Sequence, residues 1–435
     1  MEWKKIYEER KTSIDEAIGY IQPGDRVVLG QAVGIPIALT DAMTEHKGCF
    51  SDVEIVQMVP MGNGKFTEPE MEGHFRLNSI FTGAYTKTAV KEGRADYTPC
   101  HFSEVPSLLG EMLPVDVALV QVTPPDKHGY MSLGVSVDYT LAAIKKATLV
   151  IAQVNSKMPR THGDSFVHVL DIDWFVEIDT PMIELAPPKI GETEKAIGEH
   201  CASLIQDGDT LQLGIGAIPD AVLLFLKDKK DLGIHSEMIS DGVVELIDAG
   251  VITNKKKTIH QGKSIVTFLM GTKRLYDYAD DNPSLVMYPV DYVNDPHVIG
   301  QNDNLVSINS CVQVDFMGQI CSESVGTMQI SGTGGQVDFV RGAKLSNGGR
   351  SIIAISSTAG SGKISKIVPF ITKGTAVTTL RTDVDFIITE FGIAKLKGKS
   401  LRKRAKALIA IAHPDFHAEL VEAYEERFCC SYDEE

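Results

Sequence analysis

Short apolar runs rich in β-branched residues, separated by stretches with helical spacing, recur along the whole chain. Residues 26–30, 53–56, 115–122 and 149–154 read as strands in the first half, and residues 263–269, 305–308, 351–355 and 386–388 in the second. Runs this continuous suit strands buried on both faces of a largely parallel sheet. A helix is expected over residues 13–21, ending before Pro23-Gly24. Midway along the chain, Asp228-Lys229-Lys230-Asp231 reads as a turn, and residues 232–239 alternate loosely like one short strand. Gly242 breaks that strand, and residues 243–249 have helical spacing closed by Gly250. Glu237 is therefore expected near the carboxyl end of a strand, just before a turn, which is the edge where open α/β sheets bind ligands. The plainer reading of such a glutamate is a solvated residue or a helix cap.

The pattern repeats. Ile21-Gln22, Gly24-Asp25, Leu29 and Gly30 recur as Ile205-Gln206, Gly208-Asp209, Leu213 and Gly214, an offset of 184 residues (206 minus 22). Gly134-Val135-Ser136-Val137-Asp138-Tyr139 is echoed by Gly334-Gly335-Gln336-Val337-Asp338-Phe339, and Asp173-Trp174-Phe175-Val176 more faintly by Asp385-Phe386-Ile387-Ile388. Three echoes in the same order imply duplicated halves, with a period far too long for a solenoid. The expected architecture is two similar open α/β domains, residues 1–188 and 189–435, divided at the Pro-rich stretch Ala186-Pro187-Pro188-Lys189. Only the second half has Gly214-x-Gly216, the Gly334-Gly335 pair and Glu237, so it should carry the reactive centre, with the first half closing the other wall of a cleft.

Composition narrows the classes. A chain of 435 residues is long for one core, which agrees with two domains. No apolar run approaches the ~20 residues that span a bilayer, and the N-terminus lacks an apolar signal region, so the cytoplasm is the expected compartment. The net charge of −16 opposes nucleic acid or an anionic membrane as partner. It also means that a polyanionic ligand needs a local basic patch. Seven scattered cysteines form neither a zinc spacing nor a disulfide framework, and the twelve histidines show no ligand pattern, so no metal is expected.

The glycine stretches carry the candidate chemistry. Gly214-Ile215-Gly216-Ala217-Ile218-Pro219 begins like a dinucleotide fingerprint but has Pro219 where the third glycine belongs. It reads better as a tight turn that brings backbone N–H groups to a substrate or phosphate at a helix N-terminus, or as a purely structural turn. Gly334-Gly335 lets a main chain approach a ligand, and two bare N–H groups can polarise a carbonyl. Gly360-Ser361-Gly362-Lys363 with Lys366 lacks the P-loop pattern; it suits a pyrophosphate or is a solvated hairpin. Gly-x-Ser-x-Gly does not occur, which disfavours a serine hydrolase.

Taken together, Gln212 through Pro219, His235-Ser236-Glu237-Met238-Ile239-Ser240-Asp241-Gly242, Phe268 through Tyr276, Gly334 through Phe339 and Thr389-Glu390-Phe391-Gly392-Ile393-Ala394 resemble the acetyl-CoA hydrolase/transferase family, nearest to its 4-hydroxybutyrate and butyryl-CoA:acetate CoA-transferases. The likeness spans essentially the whole chain. It implies the CoA-transferase fold with its active site between two domains, a homodimer, and Glu237 as the residue that carries coenzyme A covalently. It also implies coenzyme A contacts at Gly214, Ile215, Gly216, Ala217 and Ile218, at Gly334 and Gly335, and at Lys363, Lys366 and Lys395. Gln31 and Ile35 stand where some relatives have His and Glu, which leaves the acyl group open among butyryl, 4-hydroxybutyryl, propionyl and crotonyl. An acyl-CoA hydrolase on the same site and a non-catalytic CoA-binding assembly subunit are the competing readings.

Overall fold

A computed structural model describes residues 2–434 and divides the chain into two compact units. The first comprises residues 1–186, 237–241 and 263–294; the second comprises 187–236, 242–262 and 295–435. The units therefore interleave along the chain, and Glu237, expected in the second domain, is grouped with the first unit. Backbone pairing explains the grouping: residues 264–266 and 285–287 extend a small sheet begun by His162–Gly163, and Ser136 bridges Phe268.

The first unit is built on a fully parallel sheet of β1 (Arg26–Leu29), β2 (Val53–Gln57), β3 (Phe75–Ser79), β4 (Ala95–Tyr97), β5 (Val117–Val122), β6 (Leu149–Val154) and β7 (Trp174–Glu177). Its order is β7-β6-β5-β1-β2-β3-β4. All six residues of β5 are buried, as a strand covered on both faces requires. The odd-numbered positions Val27, Leu29, Val53, Ile55, Leu77, Val117, Leu119 and Ile151 form one apolar layer, closed by residues of helix α1 (Ile37–Glu45) such as Leu39 and Met43. β3 and β4 were not foreseen, because Phe75-Arg76-Leu77-Asn78-Ser79 mixes polar and apolar positions too evenly to stand out.

The second unit repeats the plan. Its sheet holds β8 (Thr210–Leu213), β9 (Gly233–Ile234), β10 (Leu305–Ser310), β11 (Arg350–Ala354), β12 (Phe386–Thr389) and β13 (Gly392–Lys395), ordered β9-β8-β10-β11-β12-β13. Only β13 is antiparallel, returning in a hairpin from β12. From β2 through β1, β5, β6 and β7 the first sheet runs in the same sequence as β9, β8, β10, β11 and β12 in the second. The sequence echoes fall at matching places in this order. Ahead of β1, Gly24 has φ +83° and Gln22 N–H donates to Asp25 at 2.7 Å; ahead of β8, Gly208 has φ +82° and Gln206 N–H donates to Asp209 at 2.7 Å. The faint third echo opens β7 and β12. Among the described residues, no helix is long and apolar enough to cross a membrane.

The stretch expected as one strand over residues 232–239 is two. Gly233–Ile234 pairs with β8, whereas Met238–Ile239 pairs with Phe268–Leu269. The change of partner falls on His235, Ser236 and Glu237. The run 263–269 divides likewise, into Ser264–Val266 and Phe268–Leu269, which belong to different small sheets.

The duplicated turns make a prediction. A Cβ on Gly24 would meet nothing within 4 Å, and one on Gly208 only the Lys256 side chain at 3.5 Å, so left-handed backbone rather than space demands glycine. Alanine at either position should cost about 1–2 kcal/mol in urea unfolding. A neutral Gly24→Ala would contradict the strain argument.

Candidate active site

Glu237 occupies the junction between the two short strands. Ahead of it, His235 N–H donates to Leu211 carbonyl at 3.1 Å, and Ser236 Oγ donates to Leu213 carbonyl at 3.1 Å. Its own carbonyl accepts from both Thr267 N–H at 2.9 Å and Phe268 N–H at 3.2 Å. Beyond it, Asp241 accepts from Thr272 N–H at 2.8 Å and Thr272 Oγ1 at 2.6 Å, which ties the end of the segment to the start of the helix Lys273–Ala279. Bonds on both sides thus fix the main chain that bears the carboxylate.

The side chain of Glu237 is half-buried, and Asn294 Nδ2 donates to its Oε2 at 2.9 Å. Asn294 is fully buried and ends the short helix Val290–Val293, its N–H donating to Val290 carbonyl at 2.9 Å. That helix hangs from a buried knot, since Val290 N–H donates to Asp138 carbonyl at 3.3 Å and Asp138 N–H to Thr267 carbonyl at 3.3 Å. The Asp138 carboxylate in turn accepts from Ser136 Oγ, from the N–H groups of Tyr139 and Thr140, and from Thr140 Oγ1. Glu237, Asn294, Asp138 and Thr267 all belong to the first unit. An amide donor on one oxygen holds a carboxylate in one orientation.

The glycine turns lie in the second unit. Gly214 follows β8 directly, at the carboxyl edge of the sheet. Gly216 caps the helix Ala217–Leu224 with φ 120° and ψ 179°, a conformation essentially reserved for glycine. A Cβ there would meet nothing within 4 Å, so the turn's outer side is open, and Ile215 is exposed. The first-turn N–H groups of this helix, Ala217 and Ile218 among them, have no partner within the helix. Gly334 has φ +56° and Gly335 caps the helix Gln336–Leu345, again at a sheet edge facing a helix start. Thr333 Oγ1 donates to the buried Glu323 carboxylate at 3.0 Å and steadies that loop.

The two lysines differ. Lys363 is exposed at the tip of the hairpin Thr358–Ala359/Ile364–Ser365. Lys366 is half-buried, donates to Ser356 Oγ at 3.1 Å, and is held below the usual lysine range by burial, against the pull of Cys311 and Glu390. Lys395, in β13, is exposed with its ammonium 5.4 Å from the Phe386 ring centre. His235 is a core residue, set edge-on to Phe339 and 3.3 Å from Asn302 Nδ2. Asn294 and Asp241 escaped the sequence reading. Asn294-Asp295-Pro296 looks like an ordinary turn, and nothing in its spacing points back to Glu237, 57 residues earlier.

This fold is that of enzymes that handle acyl thioesters of coenzyme A. Residues 1–186 match the acetyl-CoA hydrolase/transferase N-terminal domain, and residues 271–424 match its C-terminal domain, so the chain belongs to the acetyl-CoA hydrolase/transferase family. It is 62% identical over 429 residues to the 4-hydroxybutyrate coenzyme A transferase of Clostridium kluyveri, covering 98% of this chain and 100% of that one. Among solved structures, the 4-hydroxybutyrate CoA-transferase of Porphyromonas gingivalis superposes with a TM-score of 0.85 at 44% identity, over 98% of this chain and 100% of the other. RipA of Yersinia pestis superposes with a TM-score of 0.93 at 38% identity, over 99% and 100%.

The knot beneath Asn294 has a pH signature. Burial pushes the Asp138 carboxyl up from 3.8 to about 6, outweighing the donors around it. Its folded state holds the proton more tightly than the unfolded chain, so this contribution is full below the unfolded value and is lost as pH rises through about 6. The loss should be on the order of 3 kcal/mol. Urea unfolding of wild type and Asp138→Asn between about pH 4 and pH 7 should show the wild type losing stability relative to the variant as pH rises. A difference that stays flat would place the Asp138 titration elsewhere.

Proposed function

We propose that this protein transfers coenzyme A from a short-chain acyl-CoA, 4-hydroxybutyryl- or butyryl-CoA, to acetate or a similar small carboxylate, with Glu237 as the covalent carrier. The observation that carries the reading is the Glu237 carboxylate, half-buried, fixed through its main chain and held by Asn294 Nδ2 at 2.9 Å. The names of the relatives agree with it. The competing reading as a non-catalytic subunit is disfavoured because Glu237, Asn294 and both glycine turns occur in one chain.

The chemistry follows from the carboxylate. A carboxylate oxygen attacks the thioester carbonyl, the C–S bond breaks, and coenzyme A leaves as the thiolate from an acyl-glutamyl anhydride. The thiolate then attacks the glutamyl carbonyl, expels the acyl group as its carboxylate, and leaves a Glu237 thioester of coenzyme A. An incoming carboxylate runs the same steps in reverse, which gives ping-pong kinetics. Asn294 keeps the attacking carboxylate aligned. Backbone N–H groups at Gly334 and Gly335, or at Gly214, Ile215 and Gly216, suit the oxyanion of each tetrahedral intermediate. Ala217 and Ile218, at a helix start, suit a phosphate, and Lys363 and Lys366 suit the pyrophosphate. Transfer rather than hydrolysis requires that water be kept from the anhydride and the thioester. A cytoplasmic homodimer is part of the same reading.

Intact mass after mixing with butyryl-CoA tests the carrier. Wild type should gain the mass of coenzyme A less one water, Glu237→Ala should not, and borohydride should reduce the adduct at residue 237. Consumption of acyl-CoA by the wild type without any adduct would count for hydrolysis instead. Asn294→Ala removes a hydrogen bond to a charged group, a contribution of about 1.5–3 kcal/mol, so kcat should fall roughly 10- to 100-fold with the fold intact by circular dichroism. An unchanged kcat would take Asn294 out of the mechanism.

A further inference from the structure

The apolar layer of the first sheet changes character where it reaches the carboxyl edge. Continuing the odd-numbered row past Leu29, Ile55, Leu119 and Ile151, the next residues are Gln31, two positions past Leu29 at the end of β1, and Gln57, Gln121 and Gln153 on β2, β5 and β6. All four are buried, at 0%, 1%, 5% and 0% exposure. Two are satisfied by protein. Gln121 Nε2 donates to Ile35 carbonyl at 3.2 Å and its Oε1 accepts from Asn155 Nδ2 at 2.6 Å; Gln153 Oε1 accepts from Ala38 N–H at 3.1 Å and its Nε2 donates to Thr180 Oγ1 at 3.0 Å. The other two are not: neither Nε2 nor Oε1 of Gln31 or of Gln57 has a hydrogen-bond partner. Four amide atoms buried without partners on adjacent strands are a large local cost that an apolar side chain of the same shape would avoid.

Position gives the cost a purpose. Gln31 opens a turn strained at Ala32, a non-glycine residue with φ +49°, and strain of this kind collects at ligand sites. The turn packs against Ser136, which pairs with the segment that fixes the Glu237 main chain. A Cβ on Gly34 would fall 2.7 Å from Ser136 Cβ, Ser136 bridges Phe268, and Phe268 N–H donates to Glu237 carbonyl. All of these residues lie in the first unit. Building on the CoA-transfer reading, we infer that Gln31 and Gln57 bind the distal hydroxyl of a short hydroxyacyl group, and so select a hydroxyacyl-CoA over its plain acyl counterpart. An uncharged primary amide offers both a donor and an acceptor, which matches a hydroxyl that accepts from Nε2–H and donates to Oε1. A second carboxylate would call for a cation, and an unsubstituted methyl end would leave the amides unpaired.

The test compares kcat/KM for 4-hydroxybutyryl-CoA and butyryl-CoA, each with acetate, in wild type, Gln31→Met and Gln57→Met, together with the melting temperature of the free proteins. Methionine keeps the length and volume of glutamine without its polar atoms. Wild type should favour the hydroxyacyl thioester by at least about tenfold, since sites built to hydrogen-bond a hydroxyl reject analogues that lack it. Each variant should lose about tenfold or more of that ratio, chiefly through slower turnover of the hydroxyacyl substrate, while its own melting temperature holds or rises. A wild type that treats the two thioesters alike, or variants that keep the wild-type ratio, would overturn the inference even though CoA transfer continues. A wild type that transfers coenzyme A from neither thioester would overturn the CoA-transfer reading itself.

Discussion

The carbonyl of Glu237 accepts two hydrogen bonds, from the successive N–H groups of Thr267 and Phe268, and the arrangement of the site depends on that shared acceptor. It fixes the point at which a strand leaves the parallel sheet built on β8 and begins to pair with Phe268–Leu269. A strand interior would hold its side chains in strict alternation between two covered faces. A junction releases that alternation for one or two residues, and the residue released here is the carboxylate. The rigidity of this position therefore comes from main-chain bonds on both sides, leaving the side chain only half-buried.

Asn294 extends the same logic to the side chain. Its short helix is suspended from Asp138, whose N–H also reaches Thr267, so the amide that orients Glu237 and the strand that fixes its carbonyl share one buried anchor. Polar groups this deep are costly unless fully paired, and Asp138 is surrounded by donors. The glutamine row at the edge of the first sheet departs from that rule at two of its four positions. The fold pairs the amides of Gln121 and Gln153 and leaves those of Gln31 and Gln57 without partners.

Much of the architecture was legible in the sequence. β-branched runs located β1, β2, β5, β6, β10, β11 and β12, and the echo of Gln22 through Gly30 in Gln206 through Gly214 revealed the repeated plan before any sheet order was known. Residues 232–239 and 263–269 were each read as one strand because periodicity records burial and is blind to a change of pairing partner. The interleaving of the units was hidden for a related reason. Local pattern does not say that residues 264–266 and 285–287 join a sheet begun by His162–Gly163. Within the site, Glu237 and the glycine turns were visible through motif, whereas Asn294 was not, since an asparagine before Asp295-Pro296 carries every mark of a simple turn.

The interleaving also bears on how the molecule is made. Residues 1–186 emerge from synthesis long before residues 237–241 and 263–294, yet all three stretches belong to one compact unit. The nascent first unit must wait, with the positions for those strands still unfilled, until a further 108 residues (294 minus 186) have appeared. Contacts of such long sequence separation form late. The carboxylate at residue 237 therefore gains its orienting amide only after residue 294 has been added. A half-finished polypeptide holds that carboxylate without its partner, and the pairing is a property of the finished first unit alone.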